Sequence, residues 1–481
     1  GNQTHGEASR EHPAVMIVEI PEPFASALHG AKPSEVCDAP ADTPEALFGR
    51  ALARGQAGRS RDARADFEAA AHALGDACRL EIILLDLREG RTLEDVKREC
   101  EQIVARLDDS SQMAAFQPGS VLVTGMTDPE PAHPAFNAYL RDTAYGLAGR
   151  GEYGPVVQKA VQKSLPGKYP LSAAQKDVID FVATIQPAPI AQTHPAIPHD
   201  PGTLTRHIKS VGYFLKADIV GVCQVPESAY YRCDKQGNPI EARYPNAIVV
   251  VMRKELNAIS ASTGHDWLGD PISFQAYQHL GMVAETIANY IRRLGWEASA
   301  QYGPSFVNKY EVLLPPLLLA AGIGEVSRAG IILNPYLGLA YKAAAILTDM
   351  PIIPDQPIDF GLQRFCESCK ICAEQCPSRA IPTGDKVMYN GYETWKLNTR
   401  LCASYNFTNK NGTMCNTCVK SCPWTQPSTW PHNLVRSLVM HSRLAQQIAI
   451  RGAYLLKPWR SHPQDQWWFD MEYVDGVIQT R

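Results

Sequence analysis

Hydrophobic residues recur at helical spacing over the first part of the chain. Asp42-Thr43-Pro44-Glu45 is typical of a helix start, and apolar residues follow at i, i+3 and i+4 as far as about Leu107. Residues 185–202 contain many prolines and interrupt this pattern. The pattern predicts a mostly helical N-terminal region over residues 1–200.

Beyond residue 200, short apolar runs alternate with amphipathic segments. Residues 218–223, 246–252 and 330–333 are typical of buried strands. A helix is predicted from about Ser273 to Leu294, where the apolar residues form a stripe along one face. Helices that alternate with strands indicate an α/β (α+β) core in which helices cover a sheet.

Composition places the chain among ordinary globular proteins. Its 481 residues are 45% hydrophobic and 20% charged, with a net charge of −4, so nothing favours a nucleic acid partner. The longest apolar run, 312–324, is too short to span a bilayer and contains two prolines. We therefore expect no transmembrane segment, and the sequence carries no secretory or twin-arginine signal.

Eight of the thirteen cysteines lie between residues 366 and 422, in two groups of four. The first group has the spacing C-x2-C-x2-C-x3-C-P, and the second has C-x12-C-x2-C-x3-C-P. The first spacing is that of two-cluster bacterial ferredoxins, in which the fourth cysteine ligates the other cluster. Two zinc sites are the alternative, although zinc knuckles use paired C-x-x-C units and do not require the prolines.

If the fourth cysteine of each group ligates the cluster of the other group, the ligands of two [4Fe–4S] clusters can be assigned. One cluster takes Cys366, Cys369, Cys372 and Cys422, and the other takes Cys376, Cys402, Cys415 and Cys418. The five cysteines outside this array are expected to be buried or inert thiols, which fits a reducing compartment.

From about Arg206 to its end, the chain resembles the corrinoid-dependent reductive dehalogenases. The resemblance rests on residues 218–223, on AGIGEVSR at 321–328, and on TDMPIIPDQPIDFG at 348–361, which leads directly into the cysteines. It implies a nitroreductase-like corrinoid-binding core at 201–355 and a ferredoxin-like module at 356–430. Residues 431–481 are then expected to pack on the core.

The resemblance also implies cofactors and catalytic residues. The family binds cobalamin base-off, which is consistent with the absence of the Asp-x-His-x-x-Gly sequence that supplies a lower histidine ligand elsewhere. Its proton donor falls on Tyr277, and its second catalytic residue falls on Lys342, nine positions before Pro351. A cation near a phenol favours the phenolate form.

The combination of serine at 273 and lysine at 342 resembles the pattern of the non-respiratory branch, which acts on halogenated phenols. This resemblance implies that Ser273, Lys342 and Arg400 lie near the substrate oxygen. Expected corrinoid contacts, at which small residues and main-chain groups let a macrocycle approach, are Asn308, Lys309, Tyr310, Gly322, Gly324, Ser327 and Arg328.

The implied function is therefore reductive removal of halide from a small organohalide. An external ferredoxin, flavodoxin or reductase would donate electrons in the cytoplasm, or outside it after removal of a twin-arginine signal. The alternatives are epoxyqueuosine reductase, which acts on tRNA, and a ferredoxin-type electron carrier. A basic face and helical repeats after the cysteines would favour the former, and the chain has an acidic balance and only about 60 residues there.

Overall fold

The computed structural model describes the larger part of the chain, and the structural statements below refer to that part. The described residues are 37–57, 59–74, 82, 143–164, 169–193, 199–234, 237–303, 311–389, 391–410, 412–457, 459–461, 471–474 and 477–480. The chain divides into two compact units, residues 1–114 with 433–449 and residues 115–432 with 450–481. The predicted boundaries near residues 200 and 355 lie inside the second unit.

The first unit contains helices α1 (Pro44–Gln56) and α2 (Ser60–Leu74). The rings of Phe48 and Phe67 meet edge to face, with centroids 5.4 Å apart. Asp66 accepts hydrogen bonds from the guanidinium groups of both Arg50 and Arg54 on α1. The helical pattern is confirmed over these two helices, and most of its predicted continuation to Leu107 lies outside the described residues.

The second unit holds most of the described elements. Its helices are α3 (Ala144–Gly149), α4 (Pro155–Ser164), α5 (Pro170–Ala183), α6 (Pro201–Phe214), α7 (Leu256–Ala261), α8 (Gly269–Arg293), α9 (Leu314–Ala320), α10 (Leu362–Ser368), α11 (Ile371–Glu374), α12 (Thr399–Thr408) and α13 (Thr417–Ser421). Helices α14 (Trp430–His441) and α15 (Arg443–Leu456) follow in the chain.

The strands form one four-stranded sheet and three small pairs. They are β1 (Ile219–Gln224), β2 (Asn246–Arg253), β3 (Ala298–Gln301), β4 (Glu325–Val326), β5 (Ile332–Leu333), β6 (Tyr341–Thr348), β7 (Val387–Tyr389), β8 (Tyr392–Thr394), β9 (Met471–Val474) and β10 (Val477–Thr480). The main sheet has the order β1-β2-β6-β3, and every neighbouring pair in it is antiparallel. Among the described residues, no helix is both long and apolar enough to cross a bilayer.

Helices cover both faces of the main sheet, as the sequence predicts. Side chains alternate between the faces of a strand, so Ile248 and Ile346 pack with α8 while Val249 and Leu347 pack with α9 on the other face. Central strands β2 and β6 are almost wholly buried because both of their faces are covered. The result is a three-layer arrangement with two hydrophobic cores.

The predicted elements differ from the observed ones mainly at their ends. The helix expected at 273–294 is α8, which begins at Gly269 and ends at Arg293. The strand expected at 330–333 is confirmed over Ile332–Leu333, which pairs with β4 outside the main sheet. Strand β6 was missed, since its alanines carry little of the β-branched signal that marks a strand.

Candidate active site

Helix α8 places Ser273 and Tyr277 one turn apart on the side that faces the sheet. Residues four apart lie on the same face of a helix. Ser273 is fully buried, and Tyr277 is partly buried against the core between α8 and the sheet. Within the described part of the chain, the Ser273 hydroxyl has no hydrogen-bond partner. A buried hydroxyl without a partner is expected where a bound molecule completes the site.

Strand β6 brings Lys342 to the same place. Lys342 lies opposite Met252 in the sheet, and it shares a face with Ala344 and Ile346, which pack with α8. Its ammonium nitrogen lies 4.9 Å from the centroid of the Tyr277 ring. The structure therefore brings together both residues predicted to be catalytic, with the cation over the face of the phenol ring.

Arg400, predicted to help hold the substrate, has a different neighbour. It is exposed on α12, and its guanidinium carbon lies 5.8 Å from the centroid of the Tyr153 ring. Among the described contacts, none joins Arg400 to Tyr277, Lys342 or Ser273. Its role in substrate binding stays a prediction.

Tyr145, on α3, is a neighbour of Tyr277 for which the sequence carries no signal. Its ring meets Phe407 edge to face at 5.3 Å, and its hydroxyl is paired with the side chain of Asn406. Burial of its hydroxyl group raises its pKa, while 43% of the residue as a whole is exposed.

The residues predicted to contact a corrinoid fall into three groups. Asn308, Lys309 and Tyr310 lie outside the described residues. Gly322 and Gly324 are in close contact with backbone, since a side chain on either would collide with the carbonyl of Gln356 or Leu333. Their lack of a side chain is therefore already required by packing within the chain.

Ser327 and Arg328, the third group, lie against the first cysteine group. The Arg328 guanidinium donates hydrogen bonds to the carbonyls of Cys366, Glu367, Pro382 and Gly384. Its side chain is buried, and it lies 4.8 Å above the Trp395 ring. Arg328 thus fixes the backbone on both sides of the cysteine turn, where five guanidinium donors can satisfy several carbonyls at once.

The structure gathers the eight cysteines in the two crossed sets that their spacing predicts. Four of them line one cavity together with Ser327, Arg328, Leu339, Phe365 and Pro423, and these are Cys366, Cys369, Cys372 and Cys422. The other four lie close enough together for the charge on each to affect the pKa of the others, and these are Cys376, Cys402, Cys415 and Cys418. Each set contains one cysteine from the other sequence group.

Both sets are buried enough to disfavour free thiolates. Burial raises the pKa of Cys402 to about 11 and that of Cys418 to about 12. A bound metal reverses this preference, because a coordinating thiol is deprotonated. Among the described residues, no three His, Cys, Asp or Glu side chains are gathered closely enough to hold a single metal ion.

The loop at 413–417 is held against the start of α8 by contacts that sequence reasoning missed. Thr413 donates its hydroxyl to the carbonyl of Asp266 at 2.6 Å, and the Met414 amide donates to the Asp270 carboxylate at 3.0 Å. Side chains on Gly264 or Gly269 would collide with this loop. The second cysteine set is therefore fastened to the helix that carries Tyr277.

Glu325 is a buried acid beneath the segment that leads to the first cysteine. Its carboxylate accepts hydrogen bonds from the amides of Phe360 and Leu362 and from the side chain of Gln363. Burial raises its pKa to about 7, and these donors oppose the shift only in part. Glu325 thus anchors residues 360–363 to strand β4.

No family model matches the chain, but individual relatives do. A tetrachloroethene reductive dehalogenase of Desulfitobacterium hafniense is 31% identical over 202 residues, which are 40% of this chain and 35% of that protein. The solved structure of the catabolic reductive dehalogenase NpRdhA in complex with 3-bromo-4-hydroxybenzoic acid has a TM-score of 0.68 and 32% identity. It covers 76% of this chain and 51% of that one.

A further solved reductive dehalogenase, reported as suggesting a mechanism for B12-dependent dehalogenation, has a TM-score of 0.67 and 32% identity over 75% of this chain and 50% of that chain. The mixed α/β fold is therefore similar to that of solved reductive dehalogenases. The chain spans about a third to a half of the length of these relatives.

Proposed function

We propose that the chain is a reductive dehalogenase, like the relatives to which it is similar, and that it removes halide reductively from an organohalide with the help of bound cobalamin. One observation carries the proposal above the others. The Lys342 ammonium lies 4.9 Å from the centre of the Tyr277 ring, one helical turn from the buried and unpartnered Ser273 hydroxyl. These three groups can bind and protonate a polar aromatic substrate.

The proposed cofactors are cobalamin in a nitroreductase-like core and two [4Fe–4S] clusters in a ferredoxin-like insert. The crossed cysteine sets would hold the clusters, and the unpartnered Ser273 hydroxyl supports a bound molecule beside Tyr277. When bound, cobalamin would supply the cleavage of the carbon–halogen bond, and the clusters would supply single electrons. An external ferredoxin, flavodoxin or reductase is the proposed electron donor.

The substrate we favour is a halogenated phenol. Its oxygen, as phenolate, carries a negative charge that the Lys342 ammonium would bind and the Ser273 hydroxyl would hydrogen-bond. The Tyr277 hydroxyl would then donate a proton to the ring carbon that loses halide, as a general acid. The complex of a structural relative with 3-bromo-4-hydroxybenzoic acid, a brominated phenol, supports this substrate class.

Anaerobic turnover tests the proposal. The protein is loaded with cobalamin, iron and sulfide. Halide release is then measured from brominated and chlorinated phenols and from brominated and chlorinated alkenes. We expect halide and the dehalogenated phenol in equal amounts, with no release when cobalamin is omitted. A protein that carries cobalamin and about eight irons but releases halide from none of these compounds would contradict it.

A further inference from the structure

Lys254 is a buried cation just beyond the end of β2. It is 2% exposed, and its backbone amide donates to the carbonyl of Ala340 at 2.8 Å, which continues the pairing of β2 with β6. Because Met252 lies opposite Lys342, Lys254 is on the same face as Lys342 and diagonal to it. Burial and the charge of Lys342 lower the pKa of Lys254 to about 7, whereas negative charge on Cys418 raises it, so thiolate ligands at this position favour the charged ammonium form.

The Lys254 ammonium is held by the loop of the second cysteine set. Its nitrogen donates to the side-chain oxygen of Asn416 at 2.7 Å, and Asn416 lies between Cys415 and Cys418 in the chain. Asn416 has a left-handed backbone with φ of 52°, and its amide group donates to the carbonyl of Gly269 at 3.2 Å. One side chain thus connects the buried cation, the cysteine loop and the start of α8.

We propose that Lys254 is a positioning residue for the cluster held by Cys376, Cys402, Cys415 and Cys418, and that its positive charge raises the reduction potential of that cluster. Reduction adds one electron to a cluster whose thiolate ligands already make it negative. A buried cation nearby stabilises the reduced form more than the oxidised form, since a low dielectric weakens the screening between charges. The inference rests on the proposed iron–sulfur loading.

The hydrogen bond from Lys254 has a second effect. An asparagine in a left-handed conformation is tolerated but costs energy, and its side chain is held here by Lys254 on one side and by Gly269 on the other. Lys254 therefore stabilises the turn between Cys415 and Cys418. Lys254 thus lies near Lys342 of the proposed substrate site and contacts the cysteine loop of the proposed electron path.

The test is an anaerobic redox titration of the loaded protein, followed by the electron paramagnetic resonance signals of the two reduced clusters. The variants are Lys254→Met, Lys254→Gln, which keeps a donor to Asn416 without the charge, and Lys254→Arg, which keeps the charge. Lys396→Met is the matched control, because Lys396 is a partly buried lysine that packs on Tyr389. Iron is counted in every variant.

We expect Lys254→Met and Lys254→Gln to shift the midpoint of one cluster to a lower potential and to leave the other unchanged. Lys254→Arg and Lys396→Met should keep both midpoints near those of the unaltered protein. Iron loss from Met and Gln but not from Arg would also support a charge requirement at this cluster.

Two outcomes would overturn the inference. One is unchanged midpoints in Lys254→Met and Lys254→Gln at full iron content. The other is equal iron loss from all three Lys254 variants, which would indicate packing rather than charge. Failure of the unaltered protein to bind iron at all would instead defeat the proposed function.

Discussion

The ammonium nitrogen of Lys342 lies 4.9 Å from the centroid of the Tyr277 ring, although the two residues come from a strand and a helix that are far apart in the chain. The register of β6 against β2 sets the position of Lys342. The apolar stripe of α8 sets that of Tyr277. The contact, worth on the order of 1 kcal/mol, is therefore a product of the packing of α8 on the sheet.

Removing only the Tyr277 hydroxyl should remove the proton donor. Tyr277→Phe keeps the ring beneath Lys342, so we expect cobalamin to remain bound while kcat for halide release falls by about 100-fold or more. Halide release and the cobalamin absorption bands are measured together. Tyr290→Phe is the control, since the Tyr290 hydroxyl lies on the same helix but is bonded to the exposed His207. Near-normal turnover of Tyr277→Phe would remove that residue from the mechanism.

Replacing Lys342 should weaken the binding of phenolic substrates in particular. Losing a charge-assisted hydrogen bond of about 1.5–3 kcal/mol predicts that Lys342→Met raises the halophenol KM by about 10- to 100-fold. Lys342→Arg should retain most of the affinity because it keeps the charge. A haloalkene without a hydroxyl group serves as the comparison substrate. An equal loss for both substrate classes would exclude a role in binding the phenolic oxygen.

Removing Cys376 should affect the cluster of the second sequence group and not that of its own group. In Cys376→Ser, we expect the iron content to fall from about eight to about four per chain. The electron paramagnetic resonance signal of the cluster held by Cys402, Cys415 and Cys418 should be lost. Cys369→Ser should abolish the other signal. Cys223→Ser is the control, because Cys223 is buried in the sheet core, outside both sets. If Cys376→Ser and Cys369→Ser abolish the same signal, the crossed assignment is wrong.

Glu325 should make the stability of the fold depend on pH. Its pKa of about 7 lies above the value of 4.5 for an ordinary glutamate, so the folded state holds the proton more tightly than the unfolded state does. Its contribution is complete below about pH 4.5 and is lost as the pH rises through about 7, with a size on the order of 3 kcal/mol.

Glu325→Gln, which stays neutral, should therefore gain stability relative to the unaltered protein between about pH 5 and about pH 8. Urea unfolding at several pH values measures the difference. Glu241→Gln, at an exposed position, should show no such trend. A difference between Glu325→Gln and the unaltered protein that does not change with pH would argue against a neutral, buried Glu325.

The fold could be predicted where local pattern and burial agree. The stripe on α8 and the continuous apolar residues of β2 are visible in the sequence because both elements face a hydrophobic core. Strand β6 could not be predicted, since its alanines are weak strand formers and are buried only because helices cover both faces of the sheet. The pairing of β5 with β4 depends on a turn whose effect the sequence pattern does not reveal.

The sequence by itself determined the spacing of the eight cysteines and the positions of Tyr277 and Lys342, because ligand spacing and family resemblance are both read along the chain. Only the tertiary structure decided what surrounds them. It placed Lys342 over the Tyr277 ring, Arg328 against four carbonyls of the cysteine module, and Arg400 beside Tyr153. Contacts between distant residues follow from strand register and helix packing, which no local pattern contains.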